Sequence, residues 1–370
     1  MAILNDPPSS TTILSLDTPD VPPSKLAPPT TSHTPTTQDS RNPQNLTSRW
    51  PTAIDLAGSN LPCRLEGEVA NLVVLGSIRS EINGHFTNMP IDGGGNISAF
   101  RFHNGIVDMK MRYIETERYK LERQANKALF GLYRNPYTHH PCVRAAVDST
   151  ANTNLVMWAD KLLALKEVGL LYEVDGDTLE TLGYDPFASE GVKSKTFTAH
   201  PKVDPFTDEL VLYLVTYTLD AQGKKIEELW VKSPWCAFIH DCAITENWLI
   251  LVCWCFEADI ERMKKGGQHW AWDYEKPATF IVVPRRKSTP LPDGWKEGES
   301  RYYEWNNCMP VHTAGAWEGK DGRLYMESSR VYDNAFPFFP PDDGRMPNLD
   351  TKGDFARWEF DLSQPSGTKK

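Results

Sequence analysis

The sequence predicts an all-β protein built as a propeller, barrel or sandwich, and three observations carry that prediction. Short apolar or alternating runs recur at roughly 8–12-residue spacing from about residue 62 onward, the pattern of many short strands. Between them stand turn dipeptides: Asn-Gly at 83–84 and 104–105, and Asp-Gly at 92–93, 175–176, 293–294, 321–322 and 343–344. Such pairs accept the positive φ angles that tight hairpins demand. Helical periodicity is scarce, and Glu115 to Leu132 is its best candidate. A chain of 370 residues with 40% apolar and 11% aromatic content can bury a large core. For so many strands, that length favours a propeller. No clean repeat period is visible, so periodicity does not give a blade number.

Residues 1–48 are dominated by Pro, Ser and Thr, as in DPPSSTT, TPDVPPS and APPTTSHTPTT. That composition cannot bury enough surface to offset chain entropy, so a disordered tail is expected there, with His33 functionless inside it, ahead of a folded domain over 49–370. The strand-like runs then follow in order: LEGEV, NLVVLG, ISAFRFHNG and VDMKMRYIET, then TNLVMWADKLLALKE, LLYEVD, ELVLYLVTYTLD and IEELWVK. After these come LILVCWC, ATFIVVPRR, YYEW, HTAGAWE, RLYMESSRV and FARWEFDL. Trp248 to Cys255 is apolar without interruption and reads as a strand buried on both faces.

A net charge of −10 and a pI near 5.5 argue against a phosphate-binding surface, so nucleic acid is not an expected partner. Seven cysteines form no CxxC pair and suggest neither a zinc ribbon nor a disulfide framework. Cys253 and Cys255 are expected to pack as small apolar groups. No stretch reaches the ~20 apolar residues of a membrane span, and the N-terminus lacks the basic-then-apolar order of a secretory signal. The expectation is a soluble protein of a reducing, cytoplasmic compartment.

The sharpest chemical signal is Phe238 to Cys255, FIHDCAITENWLILVCWC, which sets His240 between a strand and a turn. Asp241 and Thr245-Glu246-Asn247 read as the polar turn, and Trp248 onward as the buried strand. A lone histidine here is more often bonded to a backbone carbonyl than to a metal. Two similar sites change that weighting. His200 precedes a Pro-punctuated turn in Thr198-Ala199-His200-Pro201, and His312 sits between strand-like runs in Met309 to Glu318. Three widely spaced histidines on strand ends can converge on one metal. Neutral imidazoles suit ferrous iron, copper, zinc and nickel alike.

The AHPKVDP, HDCAITEN and HTAGAWE stretches, with Asn152-Thr153-Asn154, ALKE and TLETLG before them, resemble the carotenoid cleavage oxygenase family over roughly residues 60–362. The wording NTN, LYRNPYTHHPCV and ALKE is most similar to the fungal and bacterial branch that cleaves stilbenes such as resveratrol and lignostilbenes. The resemblance implies a seven-bladed β-propeller. It also implies a non-haem Fe2+ held by histidines, with His200, His240 and His312 as three of four, and Glu167 orienting the ring of His240. It further implies that Tyr133 and Lys166 hydrogen-bond the para-hydroxyl of a phenolic alkene, which is split with O2 into two aromatic aldehydes. Two departures qualify this: a segment of the family is missing after Gly84-His85-Phe86, and the fourth histidine and the last blades would lie beyond Lys370. The alternatives are therefore a carotenoid or apocarotenoid cleavage dioxygenase, or an inactive truncated member lacking the fourth ligand. A hydrolytic metal site is disfavoured because there is no HExxH motif. His85, His103, His139, His140 and His269 carry no expected role.

Overall fold

The computed structural model describes residues 66–77, 93–167, 169–190, 192, 196–213, 216–336, 339–345, 348 and 350–369. These fall in one compact unit spanning Ala53–Lys370. The tail expected over 1–48, with His33, and also His85, lie outside the described residues.

The described residues form five sheets of mostly antiparallel neighbours, and all but the first are largely meanders of consecutive strands. The first joins β1 (Gly67–Val69), β2 (Asn96–His103) and β3 (Ile106–Tyr113) in the order β1-β3-β2. The second runs β4 (Asn154–Trp158), β5 (Lys161–Leu165), β6 (Tyr172–Val174) and β7 (Thr181–Tyr184). The third runs β8 (Lys202–Val203), β9 (Leu210–Leu212), β10 (Thr216–Leu219) and β11 (Lys225–Leu229). The fourth contains β12 (Ala237–Ile244), β13 (Trp248–Ala258), β14 (Trp270–Trp272), β15 (Ala278–Pro284) and β16 (Arg301–Trp305). The fifth is β17 (Met309–Glu318), β18 (Leu324–Val331) and β19 (Gly353–Phe360), after which β20 (Thr368–Lys369) returns to pair parallel with β16. The fold is thus all-β with few helices. In sheets three to five the first strand is an edge strand, and β12 packs against both β8 and β17. That convergence of first strands brings the three histidine segments together.

Local sequence explains the elements. Asn104 and Gly105 have φ of 48° and 75°, giving the two-residue hairpin between β2 and β3 its primed turn. The β4–β5 hairpin uses Ala159 and Asp160 at φ 49° and 57° without any glycine, so no turn dipeptide announces it. The first nine residues of β13 are all buried, because β12 and β15 flank the strand and aromatic and aliphatic clusters cover both faces. Each such aliphatic side chain contributes about 1.5–3 kcal/mol of burial.

Several elements differ from expectation. The helix is α1 (Glu117–Ala125), shorter than Glu115 to Leu132; Thr116 caps its start and Asn126 ends it in the left-handed conformation. A second, α2 (Ile260–Lys264), is capped by Asp259. Asn71 to Gly76 is not a strand. The run Glu209 to Asp220, read as one strand, folds back as the β9–β10 hairpin. Asp241 is not in a turn, and His240 is not at a strand end: both lie inside β12. The cysteines at 142, 236, 242, 253, 255 and 308 are all free thiols. No described helix is long and apolar enough to cross a membrane.

Candidate metal centre

The three histidine rings form a nearly equilateral group. Centroids lie 4.4 Å apart for His200–His240 and 5.1 Å apart for both His200–His312 and His240–His312. One nitrogen from each ring lies within 4.8 Å of the others, and His240 Nε2 is 3.1 Å from His312 Nε2. Two nitrogens each ~2.1 Å from one ion and at about a right angle to each other would be about 3 Å apart, so this spacing suits a shared metal.

Backbone irregularity aims two of these rings. In the β12–β13 ladder Ile239 pairs with Cys253 and Cys242 with Leu251, so His240 and Asp241 together oppose one residue. In the β17–β18 ladder Pro310 pairs with Arg330 and Thr313 with Ser328, so Val311 and His312 oppose Ser329 alone. Both ligands therefore sit at β-bulges, which re-aim a side chain out of strict alternation. His200 comes from the bend two residues before β8, where its N–H donates to Thr198 Oγ1 at 3.1 Å and Asn154 Nδ2 holds the preceding carbonyl of Ala199 at 3.0 Å.

Surrounding groups hold the set. Trp254 packs on His240 with centroids 4.6 Å apart, and its indole N–H donates to Pro310 O at 2.5 Å, linking β13 to the start of β17. Tyr213 donates its hydroxyl to His240 O, and the His312 N–H donates to Ser329 Oγ at 3.2 Å. Glu167 lies just past β5 with its side chain 7% exposed; Oε1 is 2.5 Å from His240 Nδ1 and 4.0 Å from His200 Nε2, while Oε2 accepts from Thr153 Oγ1 at 3.2 Å. The Glu167–His240 contact is close but not aligned as a hydrogen bond. Glu167 Oε1, His240 Nδ1 and His200 Nε2 are buried without an aligned partner.

The electrostatics favour neutral His200 and His312 near an anion. Burial, then the neighbouring charge of His240, pushes His200 down to about 4, and the same two causes lower His312. Burial alone would raise the carboxyl of Glu167, but the charge and hydrogen-bonding capacity of His240, with His200 behind it, hold it at about 2. Neutral imidazoles with one nitrogen turned to a carboxylate and the other free are the donor set of a divalent first-row metal. The orphaned His200 Nε2 fits the same requirement.

Beside this centre lies a second group. Lys166 is 2% exposed, its Nζ donates to Thr150 Oγ1 at 2.5 Å, and it stands 4.5 Å over the Tyr133 ring. Tyr133 packs on Phe339 with centroids 5.7 Å apart. Asp148 feels the Lys166 charge: burial would raise its carboxyl, yet Arg118, Arg134 and Lys166 bring it below the usual range. The structure thus places Glu167 and Lys166, neighbours in sequence, in two adjoining environments. Thr150 and Asp241 escaped sequence reasoning; the one signal for Asp241 was a charge inside an otherwise apolar strand. The other described histidines, His103, His139, His140 and His269, have ordinary partners. His139 accepts from the Gly131 N–H at 3.0 Å, and His269, lowered to about 4 by burial, donates to Arg134 O at 2.9 Å.

An all-β chain in which strands β12 and β17 and the bend before β8 bring three histidines to one point defines a protein with a histidine cluster fit to hold a metal ion. The chain belongs to the carotenoid oxygenase family, matching the model of the retinal pigment epithelial membrane protein over residues 48–370. It is 86% identical over 394 residues to resveratrol cleavage oxygenase 1 of Botryotinia fuckeliana, covering 100% of this chain and 70% of that protein. It is 31% identical to lignostilbene-alpha,beta-dioxygenase isozyme III of Sphingomonas paucimobilis, over 86% of this chain and 69% of that one. The resveratrol cleavage oxygenase 1 of Chaetomium globosum is 36% identical, and there the chain spans 54% of the relative's length. Among solved structures, the lignostilbene dioxygenase of Pseudomonas brassicacearum superposes with a TM-score of 0.77 at 33% identity, covering 85% of this chain and 69% of that one.

Proposed function

We propose that this protein is a non-haem iron(II) dioxygenase that uses O2 to cleave the central carbon–carbon double bond of a hydroxystilbene, giving two aromatic aldehydes. Its five sheets are then blades of a seven-bladed propeller whose axis passes through the histidines. His200, His240 and His312 would hold the ferrous ion, and Glu167 would fix the His240 ring. When bound, the iron supplies the activation of dioxygen that the side chains cannot.

What the chain's own residues do is orient and polarise. Tyr133 and Lys166 bind the para-hydroxyl of the substrate ring, and the Lys166 ammonium favours its ionised form, since a nearby opposite charge stabilises an anion. A phenolate pushes electron density along the conjugated path to the alkene. Thr150 holds the ammonium on station, and Glu167, one residue on, faces the histidines; substrate ring and metal are thereby held in one register. The observation that carries this reading is the buried Lys166 beside Glu167, with its Nζ within 2.5 Å of Thr150 and 4.5 Å of the Tyr133 ring. A phenol offers this pair a hydroxyl to bind, which a polyene such as a carotenoid lacks.

The test is Lys166→Met, made in this chain and at the equivalent lysine of the Botryotinia relative, of which this chain spans 70%. Iron content should be unchanged, while loss of 4-hydroxystilbene absorbance and formation of the two aldehydes should fall to background. Unchanged cleavage, or a preference for carotenoids over hydroxystilbenes, overturns the substrate assignment.

A further inference from the structure

Polar contacts from all three histidine segments meet at one buried carboxylate. Asp241, next to His240, is 2% exposed. Its Oδ1 lies 2.7 Å from Nζ of Lys202, two residues after His200, and accepts from its own neighbour's N–H, that of Cys242, at 2.7 Å. Its Oδ2 accepts from the backbone N–H of Thr313, the residue after His312, at 2.7 Å. The Thr313 hydroxyl lies 2.9 Å from the same oxygen and 2.6 Å from Cys242 O, so its single proton bridges the strand's backbone and the carboxylate.

Strict alternation along a strand would turn His240 and Asp241 to opposite faces. The bulge in β12 gives both residues one partner across the ladder, and the bulge in β17 does the same for Val311 and His312 just before Thr313. A bulge leaves its extra residue unpaired in the ladder and so underdetermines the aim of its side chains. Just past each bulge a backbone N–H bonds to Asp241, that of Cys242 in β12 and that of Thr313 in β17. The carboxylate touches the segments of all three histidines, while Glu167 faces two of them, His240 and His200.

We propose that Asp241 is a positioning residue that fixes the mutual spacing of His200, His240 and His312, acting through Lys202 and Thr313 rather than on the metal or the substrate. This rests on the reading of the three histidines as a metal centre. The carboxylate supplies two acceptors with a common origin, so movement of any one segment strains its bonds to the other two, and the charge-assisted contact to Lys202 is the stronger kind. Replacement by an amide keeps the size and one acceptor but removes the charge that Lys202 faces and puts a donor where an acceptor is needed.

The experiment uses the 370-residue chain and Co(II) as the probe, because its visible ligand-field bands report coordination geometry without turnover. In Asp241→Asn the apparent Kd for Co(II) should rise roughly 10–100-fold, the range for partners that orient ligands. Its bands at saturation should shift in position and intensity, with the near-UV circular dichroism of the metal-free protein unchanged. Lys202→Met should give part of that effect, and the double variant should be no worse than Asp241→Asn alone. Wild-type affinity and an unshifted spectrum in Asp241→Asn overturn the inference, as does full additivity with Lys202→Met. Should Asp241→Asn fail to fold, Lys202→Met alone decides: shifted bands support the positioning role and an unchanged site refutes it. If the unsubstituted chain binds no Co(II), the metal centre itself falls, an outcome distinct from a wild-type site that merely ignores Asp241.

Discussion

Strand β17 is clasped by a carboxylate at two places, once to β12 and once to the turn between β12 and β13, and the two clasps differ in almost everything else. At one, the buried Asp241 of β12 binds Thr313 of β17 and the Lys202 ammonium, among bulges, next to the three histidines. At the other, Glu318 at the end of β17 accepts from Thr245 Oγ1 at 2.6 Å, from the Asn247 N–H at 2.9 Å and from Asn247 Nδ2 at 3.0 Å. Glu318 faces neutral donors only, is exposed to solvent, and lies at the hairpin turn where β17 runs in regular register with β18. Six residues separate it from His312, ~20 Å along an extended strand. The comparison teaches that the same chemical device serves geometry where the ladder is broken and merely closes a turn where the ladder is intact.

The largest effect should come from the bulged end. His312→Ala removes one nitrogen donor from an exposed position where no buried charge is left behind. Metal affinity should fall by more than the roughly 10–100-fold that orienting partners cost. The denaturant midpoint of the metal-free chain should move by no more than a surface substitution does, about 0.5 kcal/mol. Metal titration and urea unfolding on the same preparation check both. A large loss of metal-free stability would mean that His312 is a structural member of the strand and that the division between the two ends is false.

Glu167→Gln is the next step down. The amide preserves size and the Thr153 contact but removes the anion 2.5 Å from His240 Nδ1. Affinity should drop roughly 10–100-fold, read as the free-metal concentration at half occupancy, with three nitrogen donors still bound. An unchanged affinity would leave Glu167 as an ordinary buried carboxylate.

How much of this was legible in the sequence follows the same division between regular and irregular backbone. The uninterrupted apolar stretch of β13 and the Asn104-Gly105 turn could be read directly, because local composition dictates both. The three histidines could be read as a set, and the resemblance of their motifs to a known family supplied the roles. The placement of His240 and His312 inside strands could not be read. A bulge depends on which remote residue lies opposite, here Ser329 facing Val311 and His312. No local pattern records that partner, so Asp241 looked like part of a polar turn. Thr150 was missed for a related reason: a threonine sixteen residues before its lysine carries no signal until the fold brings the two together. The Ala159-Asp160 hairpin escaped because its positive φ angles fall on residues that do not advertise them.

The smallest expected effect sharpens the comparison from the other side. Glu318→Gln keeps an oxygen acceptor and the packing of the turn but loses one acceptor and the negative charge. At pH 7 the cost should be about 0.5–1 kcal/mol, the net worth of a weakened, solvent-screened hydrogen bond, and metal affinity should not change. Its pH dependence has a definite sign. Burial alone would raise this carboxyl, but the bonds from Thr245 and Asn247 outweigh it and the folded-state pKa lies below the ordinary value. A depressed carboxylate contributes stability that is fully present above its unfolded pKa and is lost as pH falls through the folded one. Glutamine does not titrate, so the gap between the two proteins should be widest at neutral pH and close as the solution is taken below about 4.5. Urea midpoints at pH 7 and pH 4, with metal titration at pH 7, test this. A gap that persists in acid would place the role of Glu318 in packing rather than charge, and a change in metal affinity would show that the distal clasp also reaches the centre through β17.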